Sequence, residues 1–324
     1  MNDINQSQAL LSPPDKRDFT ISSAMEVCGT PMPQDFEVWQ PPVEDQGRTG
    51  NCVAQALANI MECIEHRRLG YNREYSVGYI YGTELSTAPG SGMYPREACK
   101  SLVKEGDIYR MFWECFDENP TCRMKRMIVA DYIKSQAKKV GSYVRLETLD
   151  EVKAFIYKYN LPVLITAESK YYAGGEGSTG YHATVCYGWE SEESFYKTHP
   201  KSEPYKDLKY TNSWGEKILF NPTFKPQANI SFYETSEIWG IIPMEPNKLI
   251  DIQQHWAKKD IEEAAELGLI RGYEDNTFKP DQPITRAEVT TIAMRLFRNL
   301  QASDENLSAR IQKLEKMFGI NTGN

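Results

Sequence analysis

The chain has 324 residues, enough to bury a sizeable core and to form two domains. A formal net charge of −8 argues against a nucleic-acid partner, which needs a basic stripe, and no apolar run approaches the roughly 20 residues of a membrane-spanning helix. The opening MNDINQSQALLSPPDKRDF lacks the basic start, apolar middle and small-residue cleavage site of a secretory signal, so no export address is legible.

In chain order, residues 1–38 read as an extended lead-in punctuated by Pro-Pro, Asp-Lys-Arg-Asp and Gly-Thr-Pro. From Asn51 the pattern turns helical. Val53, Leu57, Ile60, Met61 and Ile64 recur at helical spacing, three alanines support it, and an amphipathic helix is predicted to stop at Gly70. Further helices are predicted over 95–106 and 119–141, each ending in glycine, and over 148–160, where Thr148 and Glu151 have capping-box spacing. LPVLITAE reads as a buried strand, and YHATVCYGWE alternates as a strand after the Gly-rich loop YYAGGEGSTG. YTNSWGEKILF and SEIWGIIP are further strand candidates. Helices come first and strands follow, which predicts an α+β domain over 39–246. Residues 247–300 then hold two helices around a Gly- and Pro-marked connection, and 301–324 form a helical tail with Leu307, Ile311, Leu314 and Phe318 on one face.

Cys52 is the residue that needs explaining. Placed on the first turn of a helix, it is open to four readings: packing, metal ligation, half of a disulfide, or a nucleophile. Seven cysteines leave at least one without an intrachain partner, although Cys115 and Cys122 have the spacing to close a small loop. No CxxC pair and only four histidines make a zinc site a poor fit, and no metal or cofactor is expected. Cys63 and Cys186 are expected in the core, and His66 and His199 at the surface. As a nucleophile, Cys52 would gain from the helix N-terminus, whose dipole lowers a thiol pKa. It would also need a base and an oxyanion stabiliser. His182, 130 residues downstream, opens a strand just after a flexible loop. Asn212, in TNSWG, is placed to orient that imidazole, and Gln46, six residues before Cys52, is placed to turn its amide toward a developing oxyanion.

These residues carry a resemblance. DQGRTGNCVA resembles the signature of the papain-like cysteine peptidases, HATVCYGW resembles their His-Ala strand, and NSWG their Asn-Ser-Trp-Gly motif, in the same order, over roughly residues 35 to 245. The resemblance implies a helical left lobe and a β-barrel right lobe with the site between them. It implies Cys52 as nucleophile, His182 as acid/base, Asn212 as its orienter, Gln46 as oxyanion donor and Trp214 as a shield over the His–Asn hydrogen bond. By the same likeness Gly92 and Met93 line the cleft wall that pairs with substrate backbone, and Ala183 borders the pocket for the side chain second from the scissile bond. The sequence departs from the pattern in four places. Val53 follows the nucleophile where an aromatic is usual, Thr49 replaces a cysteine, the His182–Asn212 gap contains the charged insertion ESEESFYKTHPKSEPYKD, and the Trp-Gly continuation after NSWG is missing. These features are closer to the divergent bacterial or phage branch. No long inhibitory propeptide precedes the domain, and residues 1–38 are candidates to lie across the cleft.

Residues 247–300 resemble a single S-layer homology module, through HWAKKDIEEAAELGLIRGY, DNTFKPDQPIT and the tetrad Thr285–Glu288. The resemblance implies secondary cell-wall polysaccharide as a partner, with Arg286 as a carboxylate fork and Glu288 beside it. The rival reading makes Arg286 and Glu288 an intramodule cap or ion pair. Such repeats usually come in threes, because one two-helix unit cannot bury its apolar face alone, so self-association through 247–324, as a trimer, is expected.

The leading expectation is therefore a thiol endopeptidase acting on peptide or protein substrates, with the module placing or assembling it at a cell envelope. The alternative is a catalytically inactive peptidase scaffold serving as a surface or assembly protein. A third class, a cell-wall amidase or transglutaminase-like enzyme, fits the Gln46 spacing and NSWG less well. The module points to the cell surface while no signal peptide is legible, and the sequence leaves localisation open between cell wall, cytoplasm and phage.

Overall fold

The loop that carries Gln46 runs into α1 (Cys52–Leu69), and this helix organises the molecule. Its apolar positions Val53, Leu57, Ile60, Met61 and Ile64 are buried, and so are Ala54, Ala56, Ala58 and the polar Gln55, Glu62 and Glu65. The sequence predicts an amphipathic helix, yet α1 is enclosed on nearly every side down to Glu65, the environment of a central helix rather than a surface one. It ends at Leu69, and Gly70 follows at φ +73, a left-handed conformation that glycine adopts without a Cβ penalty.

The computed structural model describes residues 9–16, 18, 20, 32–47, 49–70, 72–84, 86–87, 91–110, 134, 137–173, 175, 178–214, 227–244, 249–266, 269–273 and 275–297. Two compact units divide the chain: Met1–Arg67 with Glu74–Met244, and Arg68–Arg73 with Glu245–Asn324. No described helix is long and apolar enough to cross a membrane.

In the larger unit α1 is followed by α2 (Val77–Thr83) and α3 (Pro95–Lys104). The Ser76 hydroxyl caps α2 by accepting from the Tyr79 N–H at 3.1 Å, and proline, which lacks the N–H a first-turn residue would leave unpaired, opens α3. α4 (Leu149–Tyr159) begins with the capping box predicted at Thr148 and Glu151, and both of its hydrogen bonds are present. The helix predicted over 119–141 does not reach its expected end. Residues 137–141 are not helical, and Lys138 instead pairs with Asp107. The earlier part of that stretch lies outside the described residues, as do Cys28, Cys115 and Cys122.

The described strands are β1 (Phe36–Glu37), β2 (Ser142–Arg145), β3 (Val163–Glu168), β4 (Tyr181–Trp189), β5 (Leu208–Thr211), β6 (Gln227–Ile230) and β7 (Thr235–Ile242). They form one antiparallel sheet in the order β2-β7-β3-β4-β5-β6, with β1 on β4. β3 is buried almost throughout, which is why LPVLITAE reads as a continuous apolar run and not as an alternating one. Its outward neighbours differ by face: Leu164, Ala183, Val185, Trp239 and Ile241 pack with α1 and α3, while Val163, Ile165, Cys186, Tyr210 and Ile238 pack with Phe155 and Ile156 of α4. Gly240 lets α4 sit close, since a Cβ there would meet the Phe155 ring at 2.5 Å. The charged insertion after β4 holds a short helix, α5 (Glu192–Thr198), anchored by the buried Phe195. His199, expected at the surface, stacks on Phe195 at 4.1 Å and is half-buried, and His66 likewise stacks on Trp39 at 3.7 Å.

The smaller unit contains α6 (Lys258–Glu266) and α7 (residues 286–297). Its core is small: Leu249, Ile252 and Ile261 are buried, with Ala257, Ile270 and Phe278 packed against them. The Asp251 carboxylate accepts from the N–H groups of Phe278 and Lys279, at 2.8 and 2.7 Å, and so fixes the connection between the helices. Ile284, Val289, Met294, Leu296 and Phe297 remain exposed.

Candidate active site

Two loops that are distant in sequence are stitched together ahead of α1. The Gly47 N–H donates to Asp45 Oδ1 at 2.8 Å, Asp45 pairs with Trp214, and the Gln46 N–H donates to the Ser213 carbonyl at 2.8 Å. Ser213 Oγ donates to Gln46 Oε1 at 2.6 Å, while Gln46 Nε2 donates one of its two hydrogens to the Thr49 carbonyl at 2.9 Å. The amide of Gln46 is thereby held rigidly with a second N–H still to give. Asn51 accepts from the Gln55 N–H at 2.9 Å, and Cys52 opens the helix one residue later, fully buried.

The strand register builds the other wall. β4 pairs with β5 through Val185↔Thr211, so His182 at the start of β4 and Asn212 just past β5 project from the same face. His182 Nε2 lies 2.8 Å from Asn212 Oδ1, and that oxygen also accepts the Ser213 N–H at 2.8 Å. The second donor settles which end of the Asn212 amide faces the ring, so the imidazole must donate from Nε2 and carries its lone pair on Nδ1. That Nδ1 is buried and makes no hydrogen bond. Trp214 stacks over the ring at 4.4 Å between centroids, and Tyr172 meets it edge-on at 5.3 Å. Enclosure pushes the His182 pKa down to about 4, the Asn212 hydrogen bond working weakly the other way. At neutral pH the ring is an uncharged base.

A segment of the chain itself lies along this wall. The Ala9 N–H donates to the Tyr181 carbonyl and the Leu10 N–H to the Met93 carbonyl, both at 3.0 Å, and Ala9 shares the apolar cluster of Cys52, Met93 and Ala183. Further along, the Ser12 N–H donates to Glu237 Oε1 at 3.0 Å, and Ser12 Oγ accepts the Arg96 N–H at 3.1 Å. The buried Arg96 guanidinium holds Asp18 at 3.1 Å, stands 3.8 Å from Asp15 and donates to the Pro13 carbonyl. Arg145 lies 3.9 Å from Asp18. Residues 9–16 and 18 thus form a strap fastened by backbone hydrogen bonds to Tyr181 and Met93 at one end and by charge at the other.

The structure brings His182, Asn212 and Trp214 together, ties Gln46 to the segment carrying them, and groups Cys52 with Met93 and Ala183. Gly92 is buried beside Met93, with the Thr87 hydroxyl donating to its carbonyl at 2.7 Å. In the smaller unit Glu288 is the second half of a capping box: Thr285 N–H and Oγ each donate to Glu288 Oε2 at 2.7 Å, and Thr285 Oγ accepts the Glu288 N–H at 3.2 Å. The intramodule reading therefore holds for Glu288. Arg286 is exposed, with no ion pair among the described residues. Sequence reasoning missed Ser213, Tyr181, Arg96 and Glu237. The one available signal was Glu237, an acid inside the otherwise apolar strand SEIWGIIP.

The fold is that of the papain-like cysteine proteases. Similar solved structures include xylellain, a cysteine protease from Xylella fastidiosa, with a TM-score of 0.59 and 20% identity, covering 74% of this chain and 97% of that one. Digestive procathepsin L2 from Tenebrio molitor larval midgut gives 0.54 at 16% identity, covering 74% and 79%. Procathepsin B S9 from Trypanosoma congolense gives 0.53 at 12%, covering 74% and 87%. Residues 251–290 match the S-layer homology domain family, so the chain combines an α+β papain-like fold with that module. Two proteins of Acetivibrio thermocellus are similar in sequence. Cell surface glycoprotein 1 is 34% identical over 93 residues, 25% of this chain and 4% of that protein. A cellulosome-anchoring protein is 28% identical over 125 residues, 34% and 28% of the respective lengths. The chain thus spans less than a third of either relative.

Proposed function

We propose that this chain is a papain-like cysteine endopeptidase held latent by its own residues 9–18. The observation that carries the reading is the His182–Asn212 pair at 2.8 Å beneath Trp214, tied through Ser213 to the Gln46 loop that leads into Cys52. In this reading Cys52 gives its proton to the Nδ1 lone pair of His182 and attacks the scissile carbonyl as a thiolate. The spare N–H of Gln46, with the Cys52 backbone N–H, receives the charge that develops on the carbonyl oxygen. His182 then protonates the departing amine, and water releases the acyl-enzyme with His182 as base. Asn212 keeps the Nε2 proton engaged and Trp214 holds the ring in place, so the proton is gained and lost at Nδ1 only.

The resting site is quiet for a physical reason. Enclosed by Trp214 and Tyr172, His182 is desolvated and neutral, which disfavours the thiolate–imidazolium pair; water reaching the ring would raise its pKa and favour that pair. The S-layer homology module is proposed to bind secondary cell-wall polysaccharide through Arg286 and, as a single copy with an exposed apolar face, to associate into trimers. A concentration-independent monomer mass in light scattering would remove the trimer.

The test of the enzymatic reading is covalent labelling of the full chain by an epoxide inhibitor of papain-like enzymes, read by intact mass. One adduct is expected on the unaltered chain and none on Cys52→Ala. If Cys52 takes no label even in an Asp15→Ala/Asp18→Ala variant with a loosened strap, the inactive-scaffold reading replaces this one.

A further inference from the structure

The first turns of α1 keep a polar stripe where an enclosed helix would be expected to be apolar. Gln55, Asn59 and Glu62 recur at i, i+4 and i+7 and so share one face. That face lines a cavity whose opposite wall includes Val185 of β4 and Thr211, the last residue of β5, and Glu44 from the loop leading to Gln46 lines the same space. The cavity measures about 20 Å³, room for one or two water-sized occupants. Its polar groups are poorly served by the protein. Gln55 is 8% exposed, and its side-chain amide makes no hydrogen bond among the described residues. Glu62 is 4% exposed; Oε1 accepts the Tyr75 N–H at 3.1 Å, and Oε2 accepts no hydrogen bond among the described residues. Burial, and then the Glu44 carboxylate, push the Glu62 pKa well above the usual carboxylate range. The guanidinium of Arg110 is engaged with Glu44 at 2.8 Å and with Glu74 at 3.5 Å.

We propose that this cavity binds a monovalent cation of the size of sodium or potassium, held between the helix that carries Cys52 and the strands that carry His182 and Asn212. The oxygens around the space are the donor set such an ion takes: the Glu62 carboxylate, the amide oxygens of Gln55 and Asn59, and the Thr211 hydroxyl, with Glu44 adding charge. A water molecule satisfies the Gln55 amide but leaves the two carboxylates repelling each other, whereas a cation relieves both costs. No group of three or more His, Cys, Asp or Glu side chains suited to a metal ion occurs among the described residues, so the charge fits a monovalent ion better than a divalent one. The position gives the ion a consequence. Gln55 lies three residues after Cys52 and Thr211 directly precedes Asn212, so an occupant bound to both holds the helix of the nucleophile against the strand of the orienting amide. The binding site stands without the peptidase reading; its effect on Cys52 rests on that reading.

The experiment melts the full chain in sodium, potassium or choline chloride, about 100 mM each, so that screening is equal and only the cation differs. The melting temperature of the larger unit is expected to be about 3 °C higher in sodium or potassium than in choline, the shift produced by an ion at about tenfold its dissociation constant. Glu62→Gln removes the charge but keeps an acceptor for the Tyr75 N–H, and it should abolish the difference between salts. Gln55→Met, of the same reach without the amide, should abolish it too with Glu62 intact, and guards against a misfolded Glu62 variant. Equal melting in all three salts overturns the site, the cavity then holding water only. A difference that survives both substitutions also overturns it, because the ion then binds elsewhere. Epoxide labelling of Cys52 in the same salts tests the consequence: faster labelling in sodium or potassium supports it, and an equal rate overturns it. If the melting difference is present and Cys52 takes no label, in the Asp15→Ala/Asp18→Ala background too, the peptidase reading fails and the cation site stands.

Discussion

His182 and Arg286 are both proposed functional residues read from a motif, and their surroundings are opposite. His182 is wholly enclosed, between an indole and a phenol, with its pKa driven down to about 4 and its partner fixed by a second donor. Arg286 stands in water at the start of α7, and the acid beside it is spent on capping the helix. An enclosed site advertises itself through the costs it carries: an imidazole kept neutral, an unpaired Nδ1, a buried carboxylate. An exposed one carries no such cost, so its function rests on motif alone until a ligand is found.

The largest effect should come from disturbing the enclosed side. Asn212→Ala frees His182 to take the wrong tautomer and turn its ring; peptide hydrolysis should fall by about 10²–10⁴-fold, the scale of a lost acid/base contribution. A fall in kcat with KM little changed would mark Asn212 as a positioning residue. A loss confined to KM would place it in substrate binding instead.

Next in size is the response to acid. Because the folded-state pKa of His182 lies below the unfolded value of 6.5, the unfolded chain binds the extra proton between pH 6.5 and about 4. Stability from this group is full above 6.5 and is lost as pH falls through that window, by about 3 kcal/mol in all. The imidazole resonances should titrate near 4 in the full chain. In the Asp15→Ala/Asp18→Ala variant they should move up toward 6.5, and a titration already near 6.5 in the unaltered chain would mean that the strap does not seal the ring. The same variant should raise the rate of Cys52 labelling about tenfold, since it leaves the buried Arg96 with fewer partners only while the strap is down. An unchanged rate would confine residues 9–18 to a structural role.

How much of this was legible depended on the type of signal. The four ordered elements around Gln46, Cys52, His182 and Asn212 were readable because each needs a particular residue type at a particular place. The capping box at Thr148 was readable because its chemistry is local in sequence, whereas the cap at Glu288 stood only as the rival to glycan binding. Three features were not legible. The full enclosure of α1 depends on what packs against it, and Gln55, Glu62 and Glu65 look like a solvent face until β4 and the residues around Tyr75 are known. Residues 137–141 continue a helical pattern that Asp107 captures by pairing with Lys138. The strap carries only weak apolar signal at Ala9 and Leu10, and its anchors, Arg96 and Glu237, lie 84 and 225 residues from Ser12.

The smallest effects belong to the module and separate its two motif residues. Thr285→Ala removes both hydroxyl contacts of the capping box and should cost about 1 kcal/mol of module stability, read as an earlier melting step assigned to residues 249–297. Arg286→Ala touches nothing in the fold and should move that step by less than about 0.5 kcal/mol. In a pulldown of the full chain on purified secondary cell-wall polysaccharide the order should reverse, with Arg286→Ala losing retention and Thr285→Ala keeping most of it. Equal retention by both variants would take Arg286 out of glycan binding. The motif would then be a helix start and nothing more, because Thr285 and Glu288 Oε2 are already committed to the cap and Glu288 Oε1 accepts the Tyr273 hydroxyl at 3.3 Å.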